Sequence, residues 1–177
     1  EAQEAQLEVT KVDENDTNSY SFEARFLDTD IKGDSIFYYA AFNQDKEIVG
    51  YVLTATKYGY SSNVGDPKLP VSRKLIEVPV NASVSVNVLN TEFTDYDLAT
   101  AGIIYRIIPQ QAPVSKSITD PSEIPFVINE ETYLQNEFLG SPLVSVSPVG
   151  TMRAVDLARL DISPVQYNPV TGILRIY

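Results

Sequence analysis

Residues 19–26 alternate strictly. Tyr20, Phe22, Ala24 and Phe26 fall on one side and Ser21, Glu23 and Arg25 on the other. A period of two predicts a strand with one face buried and one in water. Residues 83–89 repeat the pattern, with Val84, Val86 and Val88 on one side. Other runs are almost continuously apolar: residues 36–42, 48–56, 103–108, 143–146 and 173–177. Such runs suit strands covered on both faces, although periodicity alone does not separate them from buried helix. Their shortness, and the clusters of Asp, Asn, Gly, Pro and Ser between them, favour strands.

Eleven prolines, from Pro67 to Pro169, deny the second two-thirds of the chain room for a long helix. The best helical stretch is residues 130–138, a turn or two, with Asn129 as N-cap before Glu130 and Glu131. There is no heptad, internal repeat or low-complexity tract. The pattern predicts an all-β fold, a β-sandwich or jelly-roll-like arrangement with at most one or two short helical turns. A long irregular segment is expected over residues 109–125. Residues 1–6 are expected to be a frayed leader, and residues 7–177 a single β-sandwich domain.

Composition narrows the chemistry more than the fold. A 44% hydrophobic and 21% charged content supplies a core and argues against whole-chain disorder. There is no His and no Cys. That excludes Ser-His-Asp and Cys-His machinery, imidazole and thiolate metal sites, and disulfides. A net charge of −11 argues against nucleic acid and anionic membrane surfaces. No run approaches the roughly 18–20 apolar residues of a membrane span. The start at Glu1 suggests a processed or truncated chain with any signal peptide already gone. The strand-like run at Tyr177 suggests that the native polypeptide continues.

Oxygen chemistry remains open to the acidic residues. Asp13, Glu14 and Asp16, and Asp28 and Asp30, suit a hard cation, but neither group has the EF-hand pattern, and both read first as solvated turns. No metal ligand is assigned. A glycosidase carboxylate pair is defined by distance, which sequence does not give. Tyr38, Tyr39, Tyr51, Tyr58 and Tyr60 would suit a sugar platform, but strands use aromatics anyway and Trp is absent. The sequons at Asn15 and Asn81 carry no weight, and Tyr58-Gly59-Tyr60 is not a phosphate loop. Arg73-Lys74, flanked by Pro70 and Pro79, reads as an exposed strand end.

Three segments are more specific. Gly65-Asp66-Pro67-Lys68-Leu69-Pro70, continuing through Arg73, reads as a turn feeding an extended, Pro-bounded edge segment. Asp120-Pro121-Ser122-Glu123-Ile124-Pro125 follows the irregular region. Pro164-Val165-Gln166-Tyr167-Asn168-Pro169 precedes Thr171-Gly172, where Pro169 forces Asn168 into an extended or turn geometry and Gly172 suits a tight hairpin into residues 173–177. In this order and spacing, over about residues 65–177, they resemble the N-terminal propeptide of the gingipain-like (family C25) cysteine endopeptidases. Before Gly65 only compatible strand patterning is seen. The motif residues Gly65, Pro67, Leu69, Pro70, Arg73, Asp120, Pro121, Ile124, Pro125, Pro164, Tyr167, Asn168 and Pro169 are read as shaping the scaffold.

The resemblance implies a non-catalytic, exported propeptide (periplasmic, cell-surface or extracellular) that aids folding, keeps its protease latent and is removed on maturation. The implied partner is its own C-terminal cysteine-protease catalytic domain, with no cofactor, no nucleic acid and no membrane insertion. A loop would cross the active-site cleft, and Val114, Ser115, Lys116, Ser117, Ile118 and Thr119 are the residues that the resemblance places there. The family tends to put a basic residue before Asp-Pro; here Ser117 occupies the aligned position and Lys116 stands one residue earlier. Three readings stay open: Lys116 anchors after a one-residue adjustment, the cognate protease lacks basic specificity, or Lys116 is a solvated side chain on a flexible loop. Arg153 and Arg159 are lesser candidates. The alternative function is a cell-surface adhesion or carbohydrate-binding β-sandwich module, Ca-dependent if the acidic turns bind metal.

Overall fold

The structure, a computed structural model, describes residues 7–10, 21–25, 35–43, 45–55, 57–78, 84, 86, 88, 91–118, 120 and 124–177. Among these the regular elements are eleven strands and one short helix. The strands are β1 (Leu7–Thr10), β2 (Ser21–Arg25), β3 (Ser35–Phe42), β4 (Ile48–Ala55), β5 (Gly59–Tyr60), β6 (Pro70–Val78) and β7 (Thr94–Asp97). Helix α1 (Glu130–Tyr133) precedes β8 (Val144–Met152), β9 (Val155–Ile162), β10 (Val165–Asn168) and β11 (Ile173–Ile176). Antiparallel pairing joins them in three sheets of order β1-β2-β3-β4, β5-β6-β9-β8 and β10-β11-β7. The chain is all-β in class.

Local chemistry explains the turns. Between β3 and β4 the Asn43 carboxamide oxygen accepts from Glu47 N at 2.9 Å, and Lys46 takes the left-handed conformation at φ 61°. Pairing in register from Ile36 opposite Ala55 sends Ile36, Tyr38, Ala40, Tyr51, Leu53 and Ala55 into one buried cluster. Val165, Tyr167, Leu174 and Ile176 of the β10-β11 hairpin join the same cluster, with Leu98, Ile103, Ile107 and Tyr133. The first and third sheets therefore share one apolar core, and its removal from water is the main stabilising term.

The apolar run at residues 103–108 forms no strand, contrary to its pattern. Only Ile107 bridges Tyr51, in parallel; Tyr51 N donates to Arg106 O and Ile108 N to Tyr51 O, each at 2.9 Å. Pro109 ends the strip because it has no N–H for a further ladder bond. The approach to β4 is close enough that a Cβ on Gly50 would stand 2.6 Å from Ile108 Cγ2 and 2.7 Å from Arg106 O. Val84, Val86 and Val88 also lie outside any strand, with Val86 and Val88 exposed. Their alternation has no ladder among the described residues to give it an inner face. The helix stops at Tyr133, shorter than the 130–138 expected, since only Tyr133 of its residues is buried and Leu134 already faces solvent at 78% exposure. The acidic turns at residues 13–16 and 28–30, the leader, and both sequon asparagines lie outside the described residues.

Candidate functional site

Gly65-Asp66-Pro67 grips both ends of the irregular segment. Gly65 N donates to Gln110 O and Gln110 N to Asp66 O, each at 2.8 Å, while Asn129 N donates to Gly65 O at 3.0 Å. Pro67 bridges Pro109. Gly65 sits at φ +91°, and a Cβ there would lie 3.0 Å from Asn129 N, so both conformation and space call for glycine. Asp66 Oδ1 accepts from Asn129 Nδ2 at 3.0 Å and from Thr132 Oγ1 at 2.9 Å. Asn129 caps α1, as its sequence context predicts, its Oδ1 accepting from Thr132 N at 3.4 Å. Leu69 and Pro70 anchor the downstream side in the interior.

Gln111 closes the stem. Its Nε2 donates to Val127 O at 2.8 Å and its Oε1 accepts from Val127 N at 2.9 Å, so one carboxamide mimics a strand neighbour. From this tie residues 112–117 run exposed into a turn in which the half-buried Ile118 donates its N–H to Ser115 O at 3.1 Å and the Ser115 and Ser117 hydroxyls meet at 2.8 Å. Lys116 and Ser117 form the tip of that turn, with Lys116 exposed. Val114 and Ile124 are exposed apolar residues, and Asp120 and Pro125 are exposed as well. Thr119 and Pro121 lie outside the described residues. The structure thus brings residues 114–118 together on one projecting turn.

Arg153 and Arg159 lie elsewhere. Arg153, at φ 51°, and Ala154, at φ 64°, make the two-residue turn between β8 and β9. Arg159 lies on β9, where its Nε stands 2.9 Å from Asp161 Oδ1; Arg73 Nε approaches Asp161 Oδ2 at 3.8 Å, and Arg73 Nη2 donates to Tyr60 O at 2.8 Å. These groups floor a cleft of about 540 Å³ whose walls include Gln110, Gln111 and Pro113.

The C-terminal motif is a self-supporting hairpin. Asn168 Oδ1 accepts from Val170 N at 3.0 Å and Thr171 N at 3.1 Å, and Gly172 N donates to Asn168 O at 2.9 Å. Gly172 takes φ 68°. Pro164 O accepts from Tyr177 N at 2.9 Å, and Tyr167 exchanges a pair of 2.9 Å bonds with Leu139. Arg175 is held by Asp95 through two bonds of 2.7 Å, and its Cζ lies 3.9 Å from the ring centroids of both Phe93 and Phe138. The guanidinium hydrogen bonds hold the Asp95 carboxyl below its ordinary pKa.

The sugar-platform reading loses its centre, because Tyr38 and Tyr51 are buried and meet edge to face at 5.7 Å. Burial pushes both hydroxyls above the usual tyrosine pKa. Among the described residues no group of three or more acidic side chains gathers as a metal would require. No helix among them is long and apolar enough to cross a membrane. Pattern reading missed Gln111 and the bracing role of Asp66. Their only trace in sequence is position, one between Pro109 and Pro113 and the other inside a turn motif.

A β frame that fixes both ends of one projecting turn has the build of a protein that presents a segment to a partner. The family model Propeptide_C25 matches residues 38–177, and the chain belongs to that family, the propeptides of gingipain-like cysteine proteases. It is 40% identical over 116 residues to Lys-gingipain of Porphyromonas gingivalis, covering 66% of this chain and 7% of that protein. To gingipain R2 of the same organism it is 28% identical over 134 residues, 76% of this chain and 17% of that one. The chain therefore spans a small part of the curated relatives it matches. A solved structure bearing on the zymogenic latency of gingipain K from P. gingivalis superposes with a TM-score of 0.73 at 28% identity, covering 99% of this chain and 88% of that one. The complex of P. gingivalis RgpB pro- and mature domains shares the fold, with a TM-score of 0.66 at 22% identity over 97% of this chain and 80% of that one.

Proposed function

We propose that this domain is the non-catalytic propeptide of an exported gingipain-type cysteine endopeptidase, acting as its folding aid and latency-maintaining inhibitor. It lays residues 114–119 across the active-site cleft of its own catalytic domain and is removed by proteolysis on maturation. The observation that carries this reading is the exposed Lys116-Ser117 tip on a stem tied by Gln111 to Val127. A segment held at its base loses less conformational freedom on docking than a free chain, so more of its contact energy appears as affinity. For a protease that cleaves after basic residues, the Lys116 ammonium fills the specificity pocket as a substrate side chain would. No step requires a nucleophile from this domain, in keeping with a chain that has no His or Cys.

The test is titration of the isolated domain into the mature cognate protease with residual peptidase activity as the readout. Activity is expected to fall with a saturable dependence on domain concentration. A flat curve through a large molar excess overturns inhibition and leaves only a folding role.

A further inference from the structure

The cleft beside the projecting turn has a chemistry of its own. Arg73 of β6, Asp161 of β9 and Ser145 of β8 stand opposite one another in one row of the sheet, and Arg159 occupies the next row on the same face. The charged residues of the lining are Arg73, Arg159 and Asp161, two guanidiniums against one carboxylate, giving a local charge of +1 in a chain of net −11. At physiological salt the Debye length is about 8 Å, so a group entering the cleft responds to these near charges more than to the distant acidic surface. Asp161 Oδ1, though 2.9 Å from Arg159 Nε, makes no aligned hydrogen bond, so the guanidinium is held by charge and keeps its donors for another acceptor.

Two polar atoms behind the lining are unmet. Ser163 is 2% exposed and its Oγ has no hydrogen-bond partner; Gln110 Oε1 is likewise buried and unpartnered. Both residues line the cleft. Neither oxygen is open to the cleft, so both are a local cost in stability and not contacts for an occupant. Pro113, in the wall, stands three residues before Lys116, at most about 11 Å of extended chain, so the cleft flanks the turn.

We propose that the cleft is a second docking subsite, which receives an extended, carboxylate-bearing surface segment of the protease domain beside its active site. The segment's Asp or Glu side chain pairs with Arg159 and Arg73. This rests on the occlusion reading above and adds the chemistry of the surface that flanks the occluded cleft.

The experiment measures affinity of the whole domain for the mature cognate protease, with the variants Arg159→Gln, Arg159→Lys and Lys74→Gln checked for folding by thermal melting. Lys74 is exposed on the opposite face of β6 and changes net charge equally without touching the cleft. Arg159→Gln is expected to weaken binding by about tenfold or more, Arg159→Lys less, and Lys74→Gln not at all, with the differences shrinking at high salt. Equal binding by the wild type and Arg159→Gln, or equal weakening by Lys74→Gln, overturns the subsite while leaving occlusion intact. Absence of binding by the wild type overturns occlusion itself, and the subsite with it. If Arg159→Gln does not fold, Ser145→Glu decides the matter, since it puts a like charge into the cleft from an exposed position: the subsite requires weaker binding at an unchanged melting temperature, and unchanged binding rejects it.

Discussion

The side-chain amide of Gln111 pairs with both main-chain polar groups of Val127, donating to its carbonyl at 2.8 Å and accepting from its N–H at 2.9 Å. Sixteen residues separate the two, so this single side chain closes the segment that carries Lys116. Each bond is worth about 1 kcal/mol where water competes for it. Gln111→Ala should therefore lower the melting temperature by only a few degrees. Amide hydrogen exchange at Val127, whose N–H loses its acceptor, and at Ile118 in the turn should accelerate far more than in β10 and β11. Uniform acceleration across the domain would show that Gln111 supports the whole fold instead.

Gly65→Ala attacks the same frame from the opposite side. At φ +91° with 3.0 Å to Asn129 N, the added methyl meets both backbone strain and a main-chain atom that is itself bonded to Gly65 O. A cost of about 1–3 kcal/mol is expected, read as a lower urea midpoint at unchanged slope. A midpoint within error of the wild type would show that the turn relaxes without disturbing the Gln110 and Asn129 stems.

Much of this frame was legible in sequence as local chemistry. Asn129 as a helix cap, Gly172 in a tight hairpin and Gly65 in a turn each follow from what one residue type does to its own backbone. The failures share a different cause. Residues 103–108 and residues 84, 86 and 88 have strand patterns, but a pattern records only which positions are apolar and not whether a neighbouring ladder is available. Pro109 interrupts the first; the second finds no partner among the described residues. The contacts that build the site, Gln111 with Val127, Asp66 with Thr132 and Arg159 with Asp161, join polar residues whose types are ordinary on any surface. Only tertiary placement gives them roles.

Asp95 and Arg175 make stability depend on acid. The paired Asp95 carboxyl titrates below its unfolded value of about 3.9. The pairing thus contributes fully above that pH and is lost as pH falls through the lower, folded value. Wild-type protein should melt higher than Asp95→Asn at neutral pH, with a constant gap down to about pH 5 that closes below about pH 4. Because Asp95 is more than a third exposed, solvent screening keeps the gap small and added salt should narrow it. A gap that persists at pH 2 would mean that the carboxylate charge of Asp95 is not what carries the contact.

Tyr133 ties α1 to the bridge strip, its hydroxyl donating to Ile107 O at 2.6 Å in a buried setting. Tyr133→Phe keeps the ring and removes the donor, so a loss of about 1–3 kcal/mol is expected from chemical denaturation. Unchanged stability would show that Ile107 O is satisfied by another group.

Lys116 decides between the readings of the offset turn. If its ammonium occupies a basic-specific pocket, Lys116→Ala should raise the inhibition constant against the cognate protease by about thirtyfold or more, the scale of a buried anchor, with the melting temperature unchanged because the side chain is exposed. Lys116→Arg should inhibit nearly as well. The double change Lys116→Ala with Ser117→Lys separates register from specificity, since it moves the cation one residue toward Asp120. Recovery of inhibition in that variant shows that the turn slides by one residue to place whichever cation it carries. No recovery, with Lys116→Ala impaired, fixes the anchor at residue 116 itself. Unchanged inhibition by Lys116→Ala removes the lysine from the mechanism and leaves the two other readings, a protease without basic specificity or a solvated Lys116.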